Sequence, residues 1–218
     1  MKKNRVVILL GPPGSGKGTQ AKLLKERFNL EAIGSGNILR ARMKQDDYTG
    51  KKIGEVINKG KRIPTPVIFM LWMKELEAIK QRTGSQGFIF DGSPRTVFEA
   101  KMLEDALEWY GWHKEKKVIF INLSKREVLK RLKTRRICSV CGEIAIANGS
   151  KLKDCLKCKG KMIVRPDDNI EGVMTRWEWF NKEVRPTVNY YKKKEGITII
   201  DGSQSVEDVS RDILKAMK

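Results

Sequence analysis

The chain lacks any run of about eighteen apolar residues, and the early stretch VVILL, Val6 to Leu10, is only five long. It is too short for a membrane span or a signal-peptide core, so a cytoplasmic protein with no membrane partner is expected. Histidine is nearly absent: His113, in YGWHKEKK between a helical and a strand-like segment, is the one copy. It reads as a surface or capping residue, which leaves no histidine for general-base work. Acidic residues are few, 26 against 45 Lys+Arg, giving a formal charge of +19. The lysines are spread over the whole chain without a dense basic tail, which reads as a solvated surface and reserves particular arginines for phosphate. Internal repeats and low-complexity tracts are also missing.

What remains is a chain of 218 residues, 40% hydrophobic, long enough to bury a core within one main domain carrying an insertion or two. Runs rich in Val, Ile and Phe recur at Arg5–Leu10, Glu31–Ser35, Gly87–Gly92, Lys117–Leu123 and Ile197–Gly202, and they read as buried strands. Segments of helical spacing lie between them, among them Lys17–Phe28, Pro66–Arg82, Ser124–Arg135 and Ile170–Lys194. Alternation of this kind predicts an α/β fold in which a parallel five-stranded sheet is covered on both faces. Trp177, Trp179 and Phe180 on the last of these segments read as core packing. Two stretches interrupt the pattern. Asn37–Leu76 reads as short helices, and Arg136–Arg165 is rich in Gly and Lys.

After the first strand comes GPPGSGKGT, comprising Gly11, Pro12, Pro13, Gly14, Ser15, Gly16, Lys17, Gly18 and Thr19. A G-x-x-x-x-G-K run between a strand and a helix is a phosphate-binding loop. Its glycines let backbone N–H groups converge on phosphate oxygens, the helix end adds positive potential, and Lys17 reaches the outer phosphates. Thr19 stands one place later than the usual G-K-[ST] form puts its magnesium contact. Asp91 ends the strand of FIFDGSPRT, where such folds place a carboxylate for the water shell of magnesium. Arg40, Arg95, Arg135, Arg136, Arg165 and Arg176 supply bidentate guanidinium forks. A group of them around a phosphate loop predicts transfer between two phosphate-bearing molecules rather than simple hydrolysis. An acceptor that is itself a phosphate arrives ionised and needs no base.

All four cysteines, Cys138, Cys141, Cys155 and Cys158, lie in two C-x-x-C pairs within one segment. That spacing is the signature of a tetrahedral four-thiolate site, zinc first and iron on the same thiolates second. Disulfides are the competing account, and a cytoplasmic setting argues against them. A nucleic-acid-dependent ATPase with a zinc ribbon would want aromatic residues on the ribbon, and Arg136–Arg165 contains no Phe, Tyr or Trp.

GPPGSGKGTQ, DGSPRT, RLKTRRICSVCG, CLKCKGKM followed by RPDD, and NYYKKK together resemble the adenylate kinase family in its long, zinc-containing form, over nearly the whole chain. The resemblance implies a P-loop three-layer core over residues 1–36, 67–134 and 167–218, a helical NMP-binding insert at 37–66 and a four-cysteine zinc-binding lid at 135–166. It implies transfer of the terminal phosphoryl group of ATP to AMP with Mg2+, giving two ADP, with no nucleic acid as partner. It places Lys17, Arg40, Arg95, Arg135, Arg165 and Arg176 on the phosphates, and Arg131 and Gln204 at the donor base. Ser35, Gly36, Leu39, Ile63 and Glu99 fall in the acceptor pocket, with Gly92 offering a carbonyl to adenine. The chain departs from the family at Asn37, usually Asp, at Ser93, usually Phe, and at Ala145 and Ile146, usually Tyr-His. Glu99 stands where the family has a base-pairing glutamine. An ionised carboxylate only accepts hydrogen bonds, which suits the two donors of guanine better than adenine. The alternative is that Glu99 is a solvated helix residue, and acceptors other than AMP (GMP, CMP, UMP) stay open.

Overall fold

Val6, Val7, Ile8, Leu9 and Leu10 are all completely buried, because an apolar strand in a parallel sheet has no solvated face to offer. The structure is a computed structural model and describes residues 5–59, 61–82, 84, 86–146, 152–165 and 168–217. Pro166 and Asp167 of the RPDD motif, where the lid boundary was expected, lie outside the described residues.

In chain order the core opens with β1 (Arg5–Leu10), α1 (Lys17–Phe28) and β2 (Glu31–Gly34). Three helices follow, α2 (Ser35–Arg42), α3 (Tyr48–Asn58) and α4 (Thr65–Gln81). Next come β3 (Gly87–Asp91), α5 (Val97–Trp109), β4 (Lys116–Asn122) and α6 (Lys125–Thr134). Three short strands, β5 (Arg135–Cys138), β6 (Ile144–Ile146) and β7 (Met162–Ile163), precede α7 (Ile170–Trp179) and α8 (Arg185–Lys194). The chain closes with β8 (Thr198–Asp201) and α9 (Val206–Ala216).

The main sheet has the order β2-β3-β1-β4-β8 and is parallel throughout. Alternate residues of β1 feed two cores. Val6, Ile8 and Leu10 pack with Trp72, Leu76, Phe88, Phe90, Leu103 and Tyr191 beneath α4, α5 and α8. Val7 and Leu9 pack with Leu24, Ile89, Ile119, Ile121 and Ile213 beneath α1 and α9. These are the three layers that the strand-helix alternation predicts. Register sets the functional edge: Leu9 and Gly34 both stand opposite Asp91. The carboxyl ends of β1, β2 and β3 are therefore level, and the loops leaving them share one rim.

The helical segment after β2 packs into the first core instead of forming its own, through buried Ile53 and Ile63 and partly buried Ile38, Leu39, Val56 and Ile57. Residue 66 falls in the first turn of α4. The single helix expected over Ile170–Lys194 is interrupted by a π-helical turn at Phe180–Val184, where the Arg185 N–H donates to the Phe180 carbonyl. Pro186 explains the adjustment, since it has no N–H to continue the α-helical ladder. Trp177 and Phe180 pack in the core as expected, whereas Trp179 is half-buried and joins none of the buried clusters.

The cysteine segment carries a small sheet of its own. β5 is the centre of an antiparallel sheet of order β6-β5-β7. Among the described residues its interior holds Cys138, Cys155 and Met162, with Ala145 and Leu152 alongside. Lys22 of α1 reaches across to Glu143 in this segment, at 3.0 and 2.8 Å to the two carboxylate oxygens.

Candidate active site

β1 ends on a loop that only glycine could build. A Cβ on Gly11 would lie 2.5 Å from the Ile121 carbonyl oxygen and 2.7 Å from Ser15 Oγ. Gly16 precedes α1 with φ 93°, in the left-handed region, and no side chain caps the helix. The first-turn N–H groups are thus left to whatever occupies the loop. Lys17 Nζ folds back over it, donating to the carbonyls of Gly11 and Pro12 at 2.8 Å each. Burial pushes this ammonium down to about 8, with Asp91 opposing and Arg95, Arg135 and Arg176 adding to the shift. A polyphosphate would meet the reverse field, four positive groups around one loop.

Asp91 closes the cluster from the end of β3. Its carboxyl is pushed up by burial, against the pull of Lys17, Arg95 and Arg40. A desolvated carboxylate beside the phosphate loop fits a hydrated magnesium ion, since extra positive charge would relieve it. Lys17 therefore shares a field with Arg95, Arg135 and Arg176, and Arg40 acts on the same Asp91, although the five come from separate elements or loops. Arg40 lies over Gly36, where a Cβ would stand 3.2 Å from Nη1, and donates to Asn37 Oδ1 at 2.6 Å. Asn37 so acquires a role as anchor. Arg165 follows β7, and its carbonyl accepts from the Asp168 N–H at 2.9 Å.

Asp168 is the residue that sequence reasoning missed. Its side chain is fully buried and receives Arg135 Nε and Nη2 at 2.6 Å each and Arg176 Nη2 at 2.7 Å. Burial alone would raise its pKa, but the two guanidinium groups outweigh it and hold the carboxyl below its usual range. One carboxylate thus aims two arginines from opposite ends of the cysteine segment. The available signal was its place in RPDD, an acidic pair closely following an arginine.

On the other side, Ser35 and Ser93 hydroxyls share a 2.5 Å hydrogen bond and Trp72 Nε1 donates to Ser35 at 3.2 Å. Ile63 is buried, and Leu39 packs beside it in the same core. Gly92 accepts a long bond from Arg95 Nε, 3.4 Å. The reading of Glu99 as a solvated helix residue fails. It is 2% exposed, Oε1 accepts from Arg62 Nη2 at 2.7 Å and Oε2 from the Arg95 N–H at 2.7 Å. The local cause is a helix start, because Thr96 Oγ1 caps α5 by accepting from the Glu99 N–H at 3.0 Å. T-x-x-E is a capping box, here with the carboxylate one residue further back than usual.

Arg131, expected at a donor base, bonds Glu127 at 3.2 Å and lowers the Asp201 pKa behind the backbone bonds of Ser203. This brings α6 near the β8–α9 turn that carries Gln204. Gln204 itself turns inward, to the Asp201 carbonyl at 3.0 Å and Asp212 at 3.3 Å, and is not drawn to the arginine cluster.

The four cysteine sulfurs lie within 4.8 Å of one another, with Cys138–Cys158 at 3.4 Å and Cys141–Cys155 at 3.6 Å. Disulfide bonds would need about 2.05 Å. Tetrahedral thiolates about 2.3 Å from a zinc ion are separated by about 3.8 Å, so the donor set fits such an ion. The N–H groups of Val140 and Cys141 point at Cys138 Sγ, at 3.4 and 3.5 Å. A Cβ on Gly160 would come within 2.9 Å of the same sulfur.

The family model for adenylate kinase matches residues 9–196. A Caldicellulosiruptor bescii protein named adenylate kinase is 35% identical over 218 residues, covering 97% of this chain and 98% of that protein. Its counterpart from Caldanaerobacter subterraneus subsp. tengcongensis is 36% identical, covering 97% and 95%. One from Treponema denticola is 37% identical, covering 93% and 94%.

Proposed function

The chain belongs to the adenylate kinase family, and from that premise we propose that it transfers the terminal phosphoryl group of ATP to AMP in the cytoplasm, giving two ADP. One observation carries the reading: Lys17 folds over a loop that only glycine could build, while a single buried carboxylate, Asp168, holds Arg135 and Arg176 together. A base-free site so rich in guanidinium groups suits a reaction in which both substrates bring their own charge.

In this mechanism the loop amides and Lys17 seat the donor's β- and γ-phosphates. Arg40, Arg95 and Arg176 hold the acceptor's α-phosphate in line. An oxygen of that phosphate, already ionised, forms the new P–O bond as the bond to the donor's bridging oxygen breaks, so no proton need be removed. Arg135 and Arg165 neutralise charge spread over the moving group. Asp91 holds the water shell of magnesium, which supplies charge neutralisation on the polyphosphate when bound. Gly11, Pro12, Pro13, Gly14, Ser15, Gly16, Gly18 and Thr19 line the donor phosphates, with Arg131 and Gln204 near its base. Ser35, Gly36, Leu39, Ile63 and Gly92 form the acceptor pocket in the 37–66 insert and on the rim beside it. Residues 135–166 act as the lid, in which Cys138, Cys141, Cys155 and Cys158 hold a structural zinc with no open coordination position. Water exclusion by the lid protects the donor from hydrolysis.

The test is turnover of ATP with AMP, GMP, CMP and UMP in turn, followed by phosphorus NMR. ADP should accumulate in two equivalents from ATP and AMP. Negligible AMP turnover beside another acceptor overturns the assignment.

A further inference from the structure

Glu99 holds the place from which an acceptor base would be read, yet its carboxylate is already committed. One oxygen takes Arg62 and the other takes the Arg95 N–H, each at 2.7 Å, and only 3% of its side chain is exposed. Each oxygen already holds a donor and the carboxylate is shut off from solvent, so a base would have to displace the side chains packed over it before it could bond there. The capping role at the start of α5 fixes it further. The guanine preference that a bare carboxylate would bring therefore does not apply.

Its partner is placed differently. Arg62 keeps 32% of its side chain exposed. Both hydrogens of Nη2 are used, by Glu99 and by Thr65 Oγ1 at 3.1 Å. Nη1 stands 3.6 Å from Glu183 Oε2, an ion contact longer than a hydrogen bond. Among the described residues, Nη1 and Nε make no hydrogen bond. Glu183 lies on the π-helical turn, so that irregularity and the capping carboxylate grip the guanidinium from two sides. Arg62 also acts on Arg95, after burial and Glu99, so it lies beside the acceptor-phosphate group, next in sequence to Ile63.

We propose that Arg62, clamped by Glu99, reads the acceptor base by donating to an unprotonated ring nitrogen, and so selects adenine and cytosine over guanine and uracil. The proposal rests on the acceptor pocket of the preceding section. The Gly92 carbonyl accepts from an exocyclic amine, while Arg62 donates to the ring nitrogen beside it. Adenine, with its amino group next to N1, satisfies both, and cytosine offers the same pair. Guanine presents a carbonyl to a carbonyl and N1–H to N–H, so it is opposed at both points. Glu99 is a positioning residue for Arg62.

Wild-type protein should be assayed with ATP and three acceptors: AMP, IMP, and 1-deaza-AMP, in which N1 is replaced by C–H. Losing a bond from a charged donor should lower kcat/KM about tenfold or more for both analogues. Arg62→Met should bring AMP to within about threefold of 1-deaza-AMP, leaving the KM for ATP within about twofold. Glu99→Ala should lower the same ratio through the acceptor KM. If either variant melts early, the comparison on unmodified protein still decides. Equal turnover of AMP and 1-deaza-AMP by wild type, or a ratio unmoved by Arg62→Met in a folded variant, overturns the proposal alone. No turnover of any monophosphate overturns the phosphotransfer reading and this inference with it.

Discussion

Asp168→Asn removes one charge and changes little in shape, which makes it a sharp test of the arginine arrangement. In the native protein three charge-assisted bonds of 2.6, 2.6 and 2.7 Å converge on this carboxylate, whose side chain is fully buried. An asparagine keeps one acceptor oxygen and turns an NH2 group toward a guanidinium. Breaking one partner of a buried pair costs about 3–5 kcal/mol, and the retained acceptor puts the expectation near the lower end, about 3 kcal/mol. For a chain of this length each kcal/mol moves Tm by about 2–4 °C, so a fall of roughly 6–12 °C is expected by calorimetry at pH 7. Activity should fall further than stability explains. Arg135 and Arg176 lose their common anchor, and misplacement of that kind costs about 100-fold in kcat. The pH profile adds a sign. The Asp168 carboxyl is held below its usual range when folded, so its contribution is complete above the unfolded value, about 3.9. It is lost as pH falls through the lower folded value. The Tm gap between wild type and variant should therefore shrink as pH drops below about 4. A variant within about 2 °C of wild type, or with kcat within about threefold, would refute the anchoring argument.

Two other outcomes follow from the same geometry. Cys138→Ser with Cys141→Ser, or a strong chelator, should release one equivalent of zinc on metal analysis and open the lid segment to proteolysis. The five-stranded core should stay folded, because its own cores are separate from the few apolar side chains described inside the cysteine segment, which a metal would have to hold together; an unchanged cleavage pattern would contradict this. Lys17, pushed down to about 8 in the free protein, should regain its proton when phosphates surround it. Proton uptake on ATP binding should therefore be greater at pH 8.5 than at pH 6.5, read by calorimetry in buffers of different ionisation enthalpy. Equal uptake at both pH values would show that Lys17 is not at the phosphates.

The family's outline was legible because its signals are local. A strand, a glycine loop and a helix follow one another in Arg5–Phe28, and the two C-x-x-C pairs come together as four sulfurs. Glu99 was half legible. T-x-x-E marks the start of α5, but nothing near it in sequence names Arg62, 37 residues away. Asp168 was hidden for the same reason, since its partner Arg135 lies 33 residues earlier.

Residue order was enough to establish the layers, the strand–glycine loop–helix unit and the grouping of the four cysteines, since each depends on neighbours within a turn or a strand, where spacing is geometry. Which arginine faces which carboxylate emerged from the folded molecule alone. A charged side chain reveals its partner only when chain segments far apart in sequence are packed against each other and water is driven out between them.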